Sequence, residues 1–226
     1  MRPTIAFDLD GTLVDTAADL LRALDFTLEK EGLNPPEDRE ARNFIGSGAR
    51  AMIERALANT RVQFSKEKID GMLRLFLAHY EDHIADHSRP FPGVEQALAT
   101  LAEDGALLAV CTNKHERYAK RLLTDLKLAD WFAFVAGGDS FEFKKPDPRH
   151  LIETVERAGG NPERALLVGD SETDVITAKA AEIPVIAVSF GYTDIPPAAL
   201  GADRLIHKYE DLPAAAMDLL NRKRLA

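Results

Sequence analysis

The chain has 226 residues, 46% hydrophobic and 29% charged, enough for a sizeable core in one large domain or two small ones. A formal net charge of −9 argues against nucleic acid or an anionic membrane as main partner, so an anionic substrate would need a local cationic cluster or a metal ion. The single cysteine, Cys111, excludes an internal disulfide, and with no apolar leader or membrane-length apolar run the expectation is a cytoplasmic protein.

In chain order, the first element is "TIAF" (4–7), a buried strand that runs directly into Asp8 and Asp10. Carboxylates placed where a strand leaves the core are costly unless something uses or neutralises them. From about Asp15 to His87 the apolar spacing is helical, in "AADLLRALDFTLEKEG", "GARAMIERALAN" and "SKEKIDGMLRLFLAHYEDHIADH". "SRPFPG" (88–93) then punctuates a return to strands. The apolar runs "LLAVC", "FAFVAG", "ALLVG", "PVIAVSF" and "DRLIH" follow, separated by helical stretches. Of these, "DPRHLIETVERAGG" has clear ends, with Asp147 as N-cap, Pro148 at the first helical position and Gly159–Gly160 beyond the last turn. Cys111 lies inside "ALLAVCTN" and reads as core.

Near-continuous apolar strands alternating with helices predict an α/β fold, a doubly wound, Rossmann-like parallel sheet covered on both faces. The helical interval predicts an insertion after the first strand. The expected division is a core of residues 1–15 and 89–226 and a helical segment of 16–88.

In such sheets ligands bind beyond the carboxyl ends of the strands. The polar residues fall there: Asp8 and Asp10 after "TIAF", Thr112 and Asn113 after "LLAVC", Lys144 and Lys145 beyond "FAFVAG", and Asp170 with Asp174 after "ALLVG". Right-handed crossovers bring these segments to one edge. Several close carboxylates repel unless a cation joins them, and oxygen ligands without a His or Cys cluster suit Mg²⁺ better than zinc. A carboxylate can also act as a covalent nucleophile. A phosphoryl group of roughly −2 would be repelled by Asp8 and Asp170 alone, whereas Mg²⁺ and Lys145 would offset it, so the expected partner is a small phosphate ester. A calcium loop counted from Asp8 fails, because Leu13 stands where the EF-hand needs glycine.

"DLDGT", "TN", "KKPDP" and "GDSETD", in that order, resemble the four motifs of the haloacid dehalogenase-like phosphatases, and the match spans essentially the whole chain. The helical insertion resembles the mobile cap of that superfamily. The resemblance implies Asp8 as nucleophile and Asp10 as general acid and then base. It implies Thr112 on the phosphoryl oxygens and Lys145 against their charge. Mg²⁺ would be held by Asp8, the main-chain carbonyl of Asp10, and Asp170, with Asp174 orienting this shell from behind or binding the ion through a water. Asp174 also fits a capping box with Ser171. A cap implies closure, with hinges near Leu13–Thr16 and Ser88–Pro92.

Within the superfamily, "NFIGSGARAMIERAL", "TNK", "GGDSFEFKKPDP" and "VGDSETDVITAKAA" look most like phosphoglycolate phosphatases. Gly46, Ser47 and Gly48 precede a helix whose N–H groups suit an anion, and Arg50 offers a fork for a small carboxylate. The expected substrate is 2-phosphoglycolate. Other small phosphate esters, a phosphosugar mutase, or a non-catalytic sensor of phosphorylated metabolites are the alternatives. His79, His83 and His87 fall at helical spacing among charges and are expected to form a solvated face, not a metal site.

Overall fold

The computed structural model describes residues 2–36, 45, 48–58 and 63–223. A six-stranded parallel sheet organises them. Its strands are β1 (Thr4–Phe7), β4 (Leu107–Cys111), β5 (Phe134–Ala136), β6 (Ala165–Gly169), β7 (Val185–Val188) and β8 (Arg204–Ile206), in the order β5-β4-β1-β6-β7-β8. All six apolar runs of the sequence supply these strands. The first becomes the middle of the sheet, with Thr4 opposite both Leu107 and Ala165. That position explains why its four residues have no exposed surface at all.

Alternation along the strands divides the core into two layers. Ile5, Phe7, Leu108, Val110, Leu166 and Val168 face one way, onto α4 (Val94–Glu103), α5 (Glu116–Asp125) and α8 (Leu212–Lys223). Ala6, Cys111, Leu167, Val185 and Ala187 face the other, onto α6 (Pro148–Arg157) and α7 (Glu172–Ala180). Cys111 is core, as its setting predicts. Helix α6 begins where its signals place it: Asp147 accepts from the Arg149 N–H at 3.0 Å, and Pro148 is the first helical residue.

Between β2 (Val14–Asp15) and β3 (Arg89–Pro90) the described residues form three helices, α1 (Ala17–Lys30), α2 (Ala49–Ala58) and α3 (Lys66–Asp82). A two-residue antiparallel ribbon closes this segment at its base, where β2 meets β3. Two residues carry no readable alternation, so the ribbon left no trace in the sequence pattern. Helix α3 stops at Asp82, short of the expected His87. The buried carboxylate of Asp19, in the first turn of α1, accepts from the His87 and Ser88 N–H groups and the Ser88 hydroxyl at 2.7–3.0 Å. These bonds draw the chain out of helical register.

Candidate active site

The reversal of strand order around β1 leaves a crevice at the carboxyl ends of β1, β4, β5 and β6. A cavity of about 290 Å³ lies there, between the sheet edge and the helical segment. Asp8, Asp10, Thr112, Asn113, Lys145 and Arg50 line it, with Ile45, Phe76 and Tyr80 from the other side. Gly46 and Ser47 lie outside the described residues.

Asp8 continues β1, its N–H donating to Val168 O at 2.9 Å. Its carboxylate accepts from the Leu9 N–H at 2.7 Å and lies 3.1 Å from Lys145 Nζ. The neighbouring Thr112 side chain favours its ionised form. The chain then turns at Gly11, whose φ of 80° suits glycine. A Cβ there would lie 2.5 Å from Asp170 Oδ2, so the turn and the carboxylate occupy one space. Thr12 stands behind, donating its hydroxyl to Asp170 Oδ1 at 2.8 Å, while the Tyr192 N–H holds Asp170 Oδ2 at 2.7 Å. Gly191 also presses on Asp170, where a Cβ would sit 2.1 Å from its Cβ. Neither Thr12 nor Tyr192 was singled out in the sequence. Thr12 is the last letter of "DLDGT", which is the only signal pointing to it; Tyr192 gave none.

Lys145 is fully buried, its ammonium 2.6 Å from Asp174 Oδ1. Asp174 closes a capping box with Ser171 at the start of α7, its Oδ2 accepting from both the N–H and the hydroxyl of Ser171. Both oxygens of Asp174 are therefore engaged by protein. Asn113 donates from Nδ2 to Lys145 O at 3.0 Å and so ties the end of β4 to the loop that carries the lysine. Lys144, next along, is exposed.

Burial drives the electrostatics. It pushes Asp8 up to about 6 despite Lys145, and pushes Asp170 up to about 8, with the charges of Asp174 and Asp8 adding to the effect. Burial alone would discharge Lys145, but Asp174 and Asp8 outweigh it and hold the ammonium charged well above the usual lysine range. One lysine thus answers three buried carboxylates. Carboxylate oxygens of Asp8, Asp170 and Asp174 lie within 4.8 Å of one another, the one such group of potential metal ligands among the described residues. A surplus of buried negative charge on hard oxygen donors fits a divalent cation of the Mg²⁺ type.

Asp10 reaches into the cavity with its carboxylate bonded to Lys114 Nζ at 2.9 and 3.1 Å. Lys114 follows the "TN" pair and was not singled out in the sequence as a functional group. Arg50, at the start of α2, lines the cavity, but its guanidinium is paired to Asp70 and, at 3.6 Å, to Glu54. The three histidines take other partners. His79 stacks on Phe26 with ring centroids 4.1 Å apart, His83 bonds Asp86 at 2.8 Å, and His87 lies beyond the helix end, 3.1 Å from Arg22. No helix among the described residues is long and apolar enough to cross a membrane.

Comparison with known proteins fits this arrangement. The phosphoglycolate phosphatase of Mesorhizobium japonicum is 53% identical over 193 residues, covering 85% of each chain. That of Agrobacterium fabrum is 43% identical over 223 residues, covering 99% of this chain and 96% of its own. The crystal structure of a predicted phosphoglycolate phosphatase from Haemophilus somnus superposes with a TM-score of 0.89 at 27% identity, over 95% of this chain and 97% of that one. The haloacid dehalogenase-like hydrolase family matches residues 5–188, from β1 through β7. That span takes in all the strand ends bordering the cavity, and the chain belongs to the haloacid dehalogenase-like hydrolases.

Proposed function

We propose that this protein is a cytoplasmic, magnesium-dependent phosphatase that hydrolyses 2-phosphoglycolate to glycolate and phosphate through an aspartyl-phosphate on Asp8. The observation that carries the reading is the buried charge set at the sheet edge: a carboxylate held by Lys145 at 3.1 Å, with Thr112 and a second carboxylate, Asp10, lining the same cavity. The relatives' names support the choice of substrate.

An Asp8 oxygen attacks phosphorus, the bond from phosphorus to the leaving oxygen breaks, and Asp10 gives that oxygen its proton. Asp10 then takes a proton from a water whose oxygen attacks phosphorus. The bond from phosphorus to Asp8 breaks, phosphate leaves, and both carboxyl groups return to their starting state. Thr112 donates to the phosphoryl oxygens, Lys145 neutralises them, and Asn113 fixes the backbone of Lys145. Asp8, the Asp10 carbonyl and Asp170 would hold Mg²⁺, which when bound supplies positive charge where phosphoryl group and carboxylates meet. Asp174, with both oxygens taken, orients Lys145. Residues 16–88 act as a cap over the core of 1–15 and 89–226, and closure keeps bulk water from the acyl-phosphate.

A panel of phosphomonoesters assayed with the purified protein and Mg²⁺ tests this. The expected result is fastest turnover of 2-phosphoglycolate with multiple-turnover phosphate release. Turnover far below that of sugar phosphates removes the substrate, and an isomerised sugar phosphate among the products would make the enzyme a mutase.

A further inference from the structure

Five basic side chains border the cavity: Arg50, Lys114, His115, Lys144 and Lys145. Lys145 is locked between Asp8 and Asp174, and Arg50 is taken by Asp70 and Glu54 within the helical segment. His115 is bonded to Asp139 at 3.0 Å, and Lys144 is exposed. Lys114 differs from all of them. Its side chain is only 5% exposed, both its short contacts are to Asp10, and its ammonium lies 4.6 Å from the centre of the Tyr80 ring on α3.

We propose that Lys114 is the specificity-determining residue that receives the carboxylate of the substrate's leaving group. This rests on the phosphatase reading above, in which Asp10 faces the leaving oxygen. A cation that touches both oxygens of Asp10 then sits beside that oxygen. In 2-phosphoglycolate the carboxyl carbon is bonded to the very carbon that carries the leaving oxygen, so the two groups lie within one short reach of each other. An ammonium has three donors. When Asp10 turns an oxygen toward the leaving group, the donor it releases points to where the substrate carboxylate lies.

Taking an ammonium out of water is costly without partners, and here Asp10 and the face of Tyr80 already serve as partners in the free protein. The incoming carboxylate meets a cation that is already largely dehydrated. Arg50 offers no such advantage, because binding there must first displace two carboxylates. An ester whose leaving group ends in a methyl would put an apolar group against a buried charge, and sites built around polar partners reject such analogues strongly.

The test compares 2-phosphoglycolate with ethyl phosphate, which has a methyl in place of the carboxylate. Its readout is the ratio of the two kcat/KM values, so that damage to Asp10 common to both substrates cancels. In wild type the ratio is expected to favour phosphoglycolate. In Lys114→Met it is expected to fall about tenfold or more, chiefly through KM for phosphoglycolate, and in Lys114→Arg it should be largely kept. If the Met variant does not fold, Lys114→Gln, which still donates to Asp10 but carries no charge, makes the same comparison. A preference that survives loss of the Lys114 charge overturns this assignment alone. A preference lost in Arg50→Gln instead overturns it in favour of the cap arginine. No preference in wild type overturns both this assignment and the phosphoglycolate reading, while phosphate release from both esters still upholds the phosphatase chemistry.

Discussion

The sheet edge and the helical segment both border one cavity and both carry many charges, yet they use them differently. At the sheet edge the charges are buried and convergent: Lys145 answers Asp8 and Asp174, Lys114 answers Asp10, and Thr12 and Tyr192 hold Asp170. In the helical segment they pair across exposed helix surfaces, Arg50 with Glu54 and Asp70, and Lys68 with Glu31. Buried pairs fail badly when one partner is removed, whereas exposed pairs contribute little. On the proposed function the chemistry is therefore fixed at the sheet edge. The helical segment is free to change what it recognises at small cost to the fold.

The sharpest way to break this contrast is Asp8→Asn. Turnover should fall about 10³-fold or more, since the proposed mechanism forms its covalent intermediate on Asp8. The fold should survive, because Asp174 still answers Lys145 when Asp8 is made neutral and burial already disfavours the ionised form of Asp8, so thermal unfolding close to the wild-type temperature is expected. Retained turnover, or loss of the fold, would show that the sheet edge is not organised around this carboxylate.

Next in size is the response to magnesium and pH. Asp170 has an ordinary value of 3.8 and a folded value of about 8, so between these the folded chain keeps a proton that the unfolded chain releases. Its contribution to stability is fully present below pH 3.8 and is lost as pH rises through 8 in metal-free buffer. Mg²⁺ at a hundred times its dissociation constant adds about 2.7 kcal/mol, and the gain should be larger at pH 8 than at pH 5, where protons compete for the ligands. Unfolding midpoints with and without the ion at both pH values check this; equal shifts would argue against Asp170 as a ligand.

The smallest effect should come from Arg50→Gln. Its partners are at the protein surface, and turnover of 2-phosphoglycolate is expected to change by less than about threefold. Steady-state kinetics decide it. A large loss would mean that the helical segment holds the substrate as firmly as the sheet edge does.

The legibility of the two regions in sequence differed for the same reason. Asp8, Asp10, Thr112, Asn113, Lys145, Asp170 and Asp174 stand directly after buried strands or within short motifs, so topology alone gathers them at one edge. Parallel strands with both faces covered give continuous apolar runs, and all six were readable. Lys114 stayed unread as a functional group because a lysine after a strand is by default a solvated one; its burial depends on Tyr80, some 30 positions earlier on another helix. Tyr192 and Asp19 act through contacts equally remote in sequence. The end of α3 was misplaced because a carboxylate on α1, and no local stop signal, draws the chain away. Gly46 lies outside the described residues, and Arg50 borders the cavity already engaged with Glu54 and Asp70.

The ribbon of β2 and β3, stitched by Asp19, brings the outgoing and returning strands side by side at Asp15 and Arg89. Neighbouring antiparallel residues are roughly 5 Å apart, so the sheet sees everything between them as an excursion from a single doorway. Lineages could exchange or resize that excursion without disturbing a strand register, and an engineer can graft there while the strand ends that line the cavity stay in place.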